Sequence, residues 1–263
     1  MGSMTARRAI VRVRDHEHAA APDELAVEAP LVLALDGEAI ATLMRTPGHD
    51  LELAAGWLVV ESGVRAAADV IQLRACWEDE TDRVHLTLAD GVRWPRPRAF
   101  VTSAACGVCS ADLLDLAPLQ GSAPHRDGWT IAGSVLTGLP ESMRPLQRAF
   151  RRTGGLHAAA LATADGELLV VREDVGRHNA VDKVVGHALF DGALPATDRL
   201  LVVSGRVSFE IVQKAVAAGV AGIVAVSAPS SLAVDLARQY GLLLGGLTRD
   251  GHCNVYAGAE LVR

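Results

Sequence analysis

The chain has 263 residues, half of them apolar, with a formal charge of −6 and an isoelectric point near 5.8. That length supports one large domain or two modest ones with real cores, and the apolar content excludes a disordered chain. The acidic balance excludes a broad hold on nucleic acid while allowing a local basic pocket, and no run reaches the roughly 20 apolar residues of a membrane-spanning helix.

Met1-Gly2-Ser3-Met4 reads as a vector-derived leader before a native start. The Arg-rich opening lacks the apolar run and cleavage site of an export signal, so a cytoplasmic protein is expected. Residues 25–46 read as two strands, LAVEAPLVLAL and EAIATLMRT, joined across Asp36-Gly37, a pair that favours a tight hairpin. After the break at Pro47-Gly48, apolar residues recur at helical spacing from Leu51 to Leu58, with Asp50 as the expected N-cap and Ser62-Gly63 as the stop. His49 has two readings, a local helix contact or a face toward the cysteine loop. VIQLRACW and RVHLTLAD form a second hairpin around the acidic turn at residues 78–82. The first 90 or so residues therefore read as α+β.

Trp94-Pro95-Arg96-Pro97-Arg98 cannot lie inside a sheet, because proline lacks a donor, so the following SAACGVCS (residues 103–110) is placed on an exposed loop. A short helix over Ala111 to Leu119 and a polar linker over Gln120 to Gly128 close this region. The expected domains are 5–125, α+β and ending in the cysteine loop and linker, and 126–263, α/β. In the second, the chain alternates regularly: an amphipathic helix over 140–152, strands HAAALATA and ELLVVRED around Asp165-Gly166, a helix over 179–190, strand RLLVVSG, a helix over 209–218, strand GIVAVSA, a helix over 231–240, strand LLLGGLT and a last strand CNVYAG. Short apolar runs separated by amphipathic helices predict a parallel sheet covered on both faces.

Ligands of open α/β sheets gather where strands end and helices begin, because free backbone donors and helix dipoles converge there. Four loops of this kind are expected: Glu173 to Asn179, Ser204 to Ser208, Ser227 to Ser231 and Leu247 to His252. Three carry an arginine suited to phosphate, namely Arg177, Arg206 and Arg249. The candidate nucleotide-binding residues are Gly176, Arg177, His178, Asn179, Ser204, Gly205, Arg206, Leu247, Thr248, Arg249, Asp250, Gly251 and His252. The same small and polar residues also punctuate loops that bind nothing, and neither a Walker loop nor GxGxxG is present. Glu173-Asp174 reads either as a partner for an arginine or base, or as a solvated turn. Asn179 is expected to cap its helix, and His157 reads as a hydrogen-bonded core residue.

The cysteines are Cys76, Cys106, Cys109 and Cys253, too few for a disulfide scaffold. A zinc knuckle would need two further ligands, and no second CxxC or HxxxH stands at the right spacing, so no permanently bound metal is expected. A thioredoxin-like pair would open a helix directly after a strand, which Cys106-Gly107-Val108-Cys109 does not. Small neighbours argue against a buried structural pair. This leaves a thiol pair able to carry a persulfide and resolve it by exchange, beside the idle exposed thiol as the bland alternative. Arg96 and Arg98 would favour the thiolate of Cys106 if the loop folds back.

REDVGRHNAVDK (residues 172–183) is long and irregular enough to be highly specific. With PGHDLELAAGWLVVESG, SAACGVCS, TGGLHAAAL, LVVSGRVSFEIVQKAVAAG and SAPSSLAVDLARQYGLLLGGLTRDG, the chain resembles the formate dehydrogenase accessory sulfurtransferases, the FdhD family, over nearly its whole length. The resemblance implies a cytoplasmic homodimer that accepts sulfur from a cysteine desulfurase as a persulfide. It implies transfer to the bis(molybdopterin guanine dinucleotide) molybdenum cofactor before that cofactor enters formate dehydrogenase. By similarity Cys106 carries the persulfide and Cys109 assists, Leu247 to His252 match the cofactor-binding segment, and the REDVGRHN and SGR loops complete a guanine nucleotide pocket. A three-layer cytidine deaminase-like fold for the second domain comes with the resemblance. The deaminase zinc signature does not: Ala158-Ala159 follow His157 where x-Glu would stand, and no ProCysxxCys follows. Many members read CGVCG where this chain has Ser110, a departure that bears on loop flexibility. The rival readings are a non-catalytic cofactor-binding chaperone and a zinc-stabilised nucleotide-binding module.

Overall fold

The structure is a computed structural model that describes residues 2–78, 81–95 and 128–263. It begins with a ribbon that precedes the first strand expected from the sequence: β1 (Thr5–Arg14) and β2 (Glu17–Ala26) pair antiparallel from Thr5 with Ala26 to Arg14 with Glu17. The alternation of Val11 and Val13 with Arg12 and Arg14 is the signal for it. The run expected as one strand from Leu25 is divided, since Leu25 and Ala26 close β2 and β3 (Ala29–Leu35) starts afresh.

Asp36 and Gly37, with φ of 48° and 91°, turn β3 into β4 (Glu38–Arg45), the left-handed pair that two-residue hairpins favour. β5 (Val70–Glu78) and β6 (Thr81–Leu88) form the second expected hairpin, and β6 runs parallel to β3, giving a four-stranded sheet in the order β4-β3-β6-β5. Between the hairpins lies α1 (Asp50–Glu61). Its N-cap is His49 at φ 58°, not Asp50. The Asp50 carboxylate is engaged by buried Arg45 instead, with Nε 2.9 Å from Oδ1 and Nη2 3.0 Å from Oδ2. His49 stays local to the helix, its Nδ1 3.3 Å from Glu52 Oε2.

The second half contains α2 (Gly133–Met143), α3 (Arg148–Thr153), β7 (His157–Thr163), β8 (Leu168–Asp174), α4 (Arg177–Phe190), β9 (Arg199–Val203), α5 (Phe209–Ala218), β10 (Gly222–Ala225), α6 (Ser231–Gln239), β11 (Leu243–Arg249) and β12 (His252–Ala257). The one helix expected over 140–152 is two. A 3₁₀ turn at Arg144–Leu146 separates them, where Pro145 has no N–H to continue the ladder.

These strands form a six-stranded sheet in the order β12-β11-β10-β9-β7-β8. It is mixed rather than parallel throughout: β9, β10 and β11 are parallel, while β7 pairs antiparallel with β8 and β9, and β12 antiparallel with β11. The reason is local, since Asp165-Gly166 and Asp250-Gly251 make tight turns that return the chain beside itself. Alternate residues serve opposite faces. Leu201, Val203, Ile223 and Leu244 pack with α4, α5 and α6, whereas Leu200, Val202, Val224 and Leu243 pack with Leu136, Leu139 and Met143 of α2.

α1 is buried on every side from Leu53 to Val60 because the four-stranded sheet and α4 cover it together. The two halves of the sequence therefore share one core. The expected boundary between 125 and 126, the helix over 111–119 and all but the last residue of the linker lie outside the described residues.

Candidate functional site

β8 runs the same way as β9, β10 and β11, because two antiparallel steps through β7 restore its direction. The loops after all four strands thus leave one edge of the sheet, and β7 and β12 start from that edge at His157 and His252. This brings together the four loops expected from the sequence. One is of a different kind: Leu247 to His252 is the tip of the β11–β12 hairpin and not a strand-to-helix loop, with Asp250 at φ 52° and Gly251 at φ 72°. The Asp-Gly signal that predicts the turn at Asp36-Gly37 is present here too.

At the start of α4, Gly176 is the N-cap and Arg177 the first helical residue, both ahead of the cap expected at Asn179. His178 is held from α5 and the turn before it, with Nε2 2.9 Å from Glu210 Oε2 and 3.2 Å from Ser208 Oγ. Gly205 is buried between neighbours: a Cβ there would lie 3.2 Å from His157 Nδ1 and 3.7 Å from Cδ of Arg177. Ser204 Oγ accepts from the Ala158 N–H at 2.9 Å, tying β9 to β7, while Arg206 is exposed at the rim. Thr248 is buried and donates to Cys253 Sγ at 3.2 Å. Arg249, Asp250, Gly251 and His252 are exposed, and the Leu247 N–H donates to Ser227 O at 3.2 Å, joining hairpin and β10–α6 loop.

His157 is half-buried at the first position of β7 and not a core residue within the strand. Burial lowers its pKa, and Arg177, His178 and Arg206 lower it further, while Asp174 acts in the opposite direction. Arg177 and Arg206 thus place two guanidinium groups around His157 at one edge of an acidic protein.

The acidic members of the 172–183 motif are buried in the fold rather than exposed at this edge. Asp174 is fully buried, 2.7 Å from Lys183 Nζ, and accepts from the N–H groups of Thr46 at 3.1 Å and Gly176 at 2.8 Å. Asn179 Nδ2 donates to Met44 O at 2.8 Å and Asp174 Oδ1 at 2.9 Å, which fastens α4 to β4. Glu173 accepts from the Ala149 and Phe150 N–H groups at 2.9 and 2.7 Å, satisfying the start of α3. Glu173-Asp174 is therefore a buried pair and not a solvated turn. Arg172 Nη2 lies 2.7 Å from Glu52 Oε1 on α1, and Asp182 accepts from Lys214 Nζ at 2.7 and 2.9 Å. Asp174 finds Gly176, Asn179 and Lys183 within the motif, whereas Arg172, Glu173 and Asp182 reach partners outside it.

Cys106 and Cys109, with Ser110, Arg96 and Arg98, lie outside the described residues. Cys76 on β5 and Cys253 on β12 are half-buried. A cleft of about 370 Å³ between Arg238, Leu242, Tyr256 and Glu260 opens at the opposite end of β11 and β12 and shares no residue with the candidate site.

The protein is of the mixed α/β class, with arginines at the carboxyl edge of its sheet, an architecture that serves many activities rather than one. Comparison with known proteins narrows it. The FdhD/NarQ family model matches residues 26–263, and the chain belongs to that family. It is 47% identical to the sulfur carrier protein FdhD of Streptomyces coelicolor, covering 100% of this chain and 97% of that one. It is also 40% identical to the sulfur carrier protein FdhD of Sulfolobus acidocaldarius, with 96% of each chain covered. A crystal structure of a candidate formate dehydrogenase accessory protein from Desulfotalea psychrophila has the same fold, with a TM-score of 0.80 over 99% of this chain and 100% of that one at 23% identity.

Proposed function

We propose that this chain is a sulfur carrier for formate dehydrogenase maturation. It takes sulfur from a cysteine desulfurase as a persulfide on Cys106 and delivers it to bis(molybdopterin guanine dinucleotide) molybdenum cofactor held at the basic sheet edge. The observation that carries this reading is the convergence of Arg177, His178 and Arg206 with Ser204, Gly205 and the 247–252 hairpin on one edge, in a chain of the FdhD/NarQ family. Arginine forks and close-approach glycine suit the phosphates of a guanine dinucleotide. The relatives named as sulfur carriers support the transfer role.

The chemistry balances with two thiols. The Cys106 thiolate attacks the outer sulfur of the donor persulfide; a new S–S bond forms on Cys106, the donor S–S bond breaks, and the donor cysteine leaves as thiolate. Attack by the Cys109 thiolate on the inner sulfur of Cys106 then forms a Cys106–Cys109 disulfide and releases the outer sulfur as sulfide, the two electrons coming from the cysteine pair. The molybdenum cofactor is cargo and acceptor in this scheme. We read the 126–263 half as a cytidine deaminase-like layer arrangement used for binding, and the protein as a cytoplasmic homodimer.

Intact-mass spectrometry after incubation with a cysteine desulfurase and cysteine tests the proposal. An adduct of about 32 Da, one sulfur atom, mapped to Cys106 is the expected result. No adduct, together with full formate dehydrogenase activity in cells carrying Cys106→Ala, would overturn it in favour of a cofactor-binding chaperone.

A further inference from the structure

We propose that His157 is the proton-linked member of the anion site, taking up a proton when a phosphate or diphosphate group docks at this edge. The inference rests on the reading above that the edge binds a phosphorylated nucleotide, and it adds to the site a residue outside the loops.

His157 opens β7 at the edge where the loops converge, and it pairs in register with Asp174, the last residue of β8. Its Nδ1 side abuts Gly205, where any Cβ would lie 3.2 Å away, so a side chain at position 205 would crowd the ring and the adjoining Arg177 stem. Glycine there keeps the imidazole and the Arg177 side chain at the same face of the β9–α5 loop.

The charged groups facing the ring come from every element packed against it. Arg177 and His178 stand on α4, Arg206 on the loop after β9, and Asp174 on β8. The one acid among them is held by Lys183 at 2.7 Å, with both side chains fully buried. Glu210, the nearest carboxylate on α5, is engaged with His178 at 2.9 Å. Without ligand, burial and the neighbouring Arg177 and Arg206 oppose a charge on His157, and the ring is neutral near pH 7. A docked phosphate reverses the local sum: it supplies negative charge beside the ring and compensates the two arginines. Protonation then becomes favourable, so the ring changes from a spectator held neutral to a charged donor facing the ligand. By linkage, binding tightens as pH falls, by up to about tenfold per pH unit for one fully linked proton.

Guanosine diphosphate is the probe. Its affinity and the protons exchanged on binding are measured calorimetrically between about pH 6 and 8, in buffers of different ionisation enthalpy, for the full chain and for His157→Gln and His178→Gln. The terminal phosphate of the probe titrates in the same range and contributes equally to all three proteins, so the difference between them is the readout. The expected result is proton uptake by the unaltered chain that exceeds that of His157→Gln, with a steeper fall in affinity toward high pH. Equal uptake in both, or a loss confined to His178→Gln, overturns the proposal. If His157→Gln does not fold, the His157 ring resonances of the unaltered chain, titrated with and without guanosine diphosphate, decide it; an unchanged titration midpoint overturns it. Failure of the unaltered chain to bind the probe at any pH would instead remove the nucleotide-site reading on which the inference stands.

Discussion

Lys183 Nζ lies 2.7 Å from Asp174 Oδ2, and neither side chain has any solvent exposure. The ammonium group also donates to Thr46 O at 2.9 Å and Glu173 O at 3.2 Å, so one buried cation ties α4 to the end of β8 and to the chain that follows β4. Removing it leaves an uncompensated buried carboxylate directly beneath the start of α4. Lys183→Met should cost about 3–5 kcal/mol in urea unfolding, and Lys183→Met combined with Asp174→Asn should recover part of that loss, because the buried charge is gone and the amide oxygen keeps the Gly176 and Asn179 donors while the Thr46 N–H loses its acceptor.

The crossing of α1 and α4 depends on two glycines. A Cβ on Gly56 would collide with the backbone carbonyl of Asp182, and one on Gly186 with that of Glu52. Neither contact can be relieved by a rotamer change. Gly56→Ala and Gly186→Ala should each destabilise by about 1–3 kcal/mol or more, read as a lower unfolding midpoint. Gly138→Ala is the control. Gly138 lies within α2 with nothing near its missing Cβ, so alanine should be neutral or stabilising by up to about 1 kcal/mol.

Glu52 supplies a pH dependence. Burial opposes its ionisation, but hydrogen bonds from Arg172 and His49 outweigh burial and hold its carboxyl far below the usual carboxylate range. A depressed folded-state pKa contributes stability above the unfolded value, and that contribution is lost as pH falls toward the folded one. Glu52→Gln should therefore be less stable than the unaltered chain at pH 7, with the gap narrowing progressively below about pH 5 in denaturation curves.

Arg206 separates binding from folding. It is exposed at the rim of the site, so Arg206→Ala should change stability by no more than about 0.5 kcal/mol. Loss of a charge-assisted phosphate contact should weaken guanosine diphosphate binding roughly tenfold to a hundredfold in the same preparation. Unaltered affinity would place the ligand away from this loop.

Most strands and helices were legible in the chain because period, proline and Asp-Gly pairs act within a few residues. The hairpin at Asp36-Gly37, the helix after Pro47-Gly48 and the alternation from residue 157 all follow from neighbours in sequence. The ribbon over 5–26 had the same kind of signal in weaker form. Asp250-Gly251 carried it fully, and only the expectation of a strand-to-helix loop obscured the hairpin.

The site divides along the same line. Arg177, His178, Ser204, Gly205 and Arg206 are recognisable as loop residues of an α/β chain from sequence alone, because small and cationic residues after apolar runs are a local pattern. That Asp174, Asn179 and Asp182 of the same motif turn inward, and that His157 joins the basic edge, was decided by tertiary structure. Arg172 meets Glu52 across 120 residues of chain and Lys183 meets Thr46 across 137, so those side chains acquire partners only once α1 is packed against α4. The chain by itself determined its elements and its turns; the packing of α1 between the four-stranded sheet and α4 determined which charges are buried in cohesion and which remain at the sheet edge, because those partners meet only across the folded core.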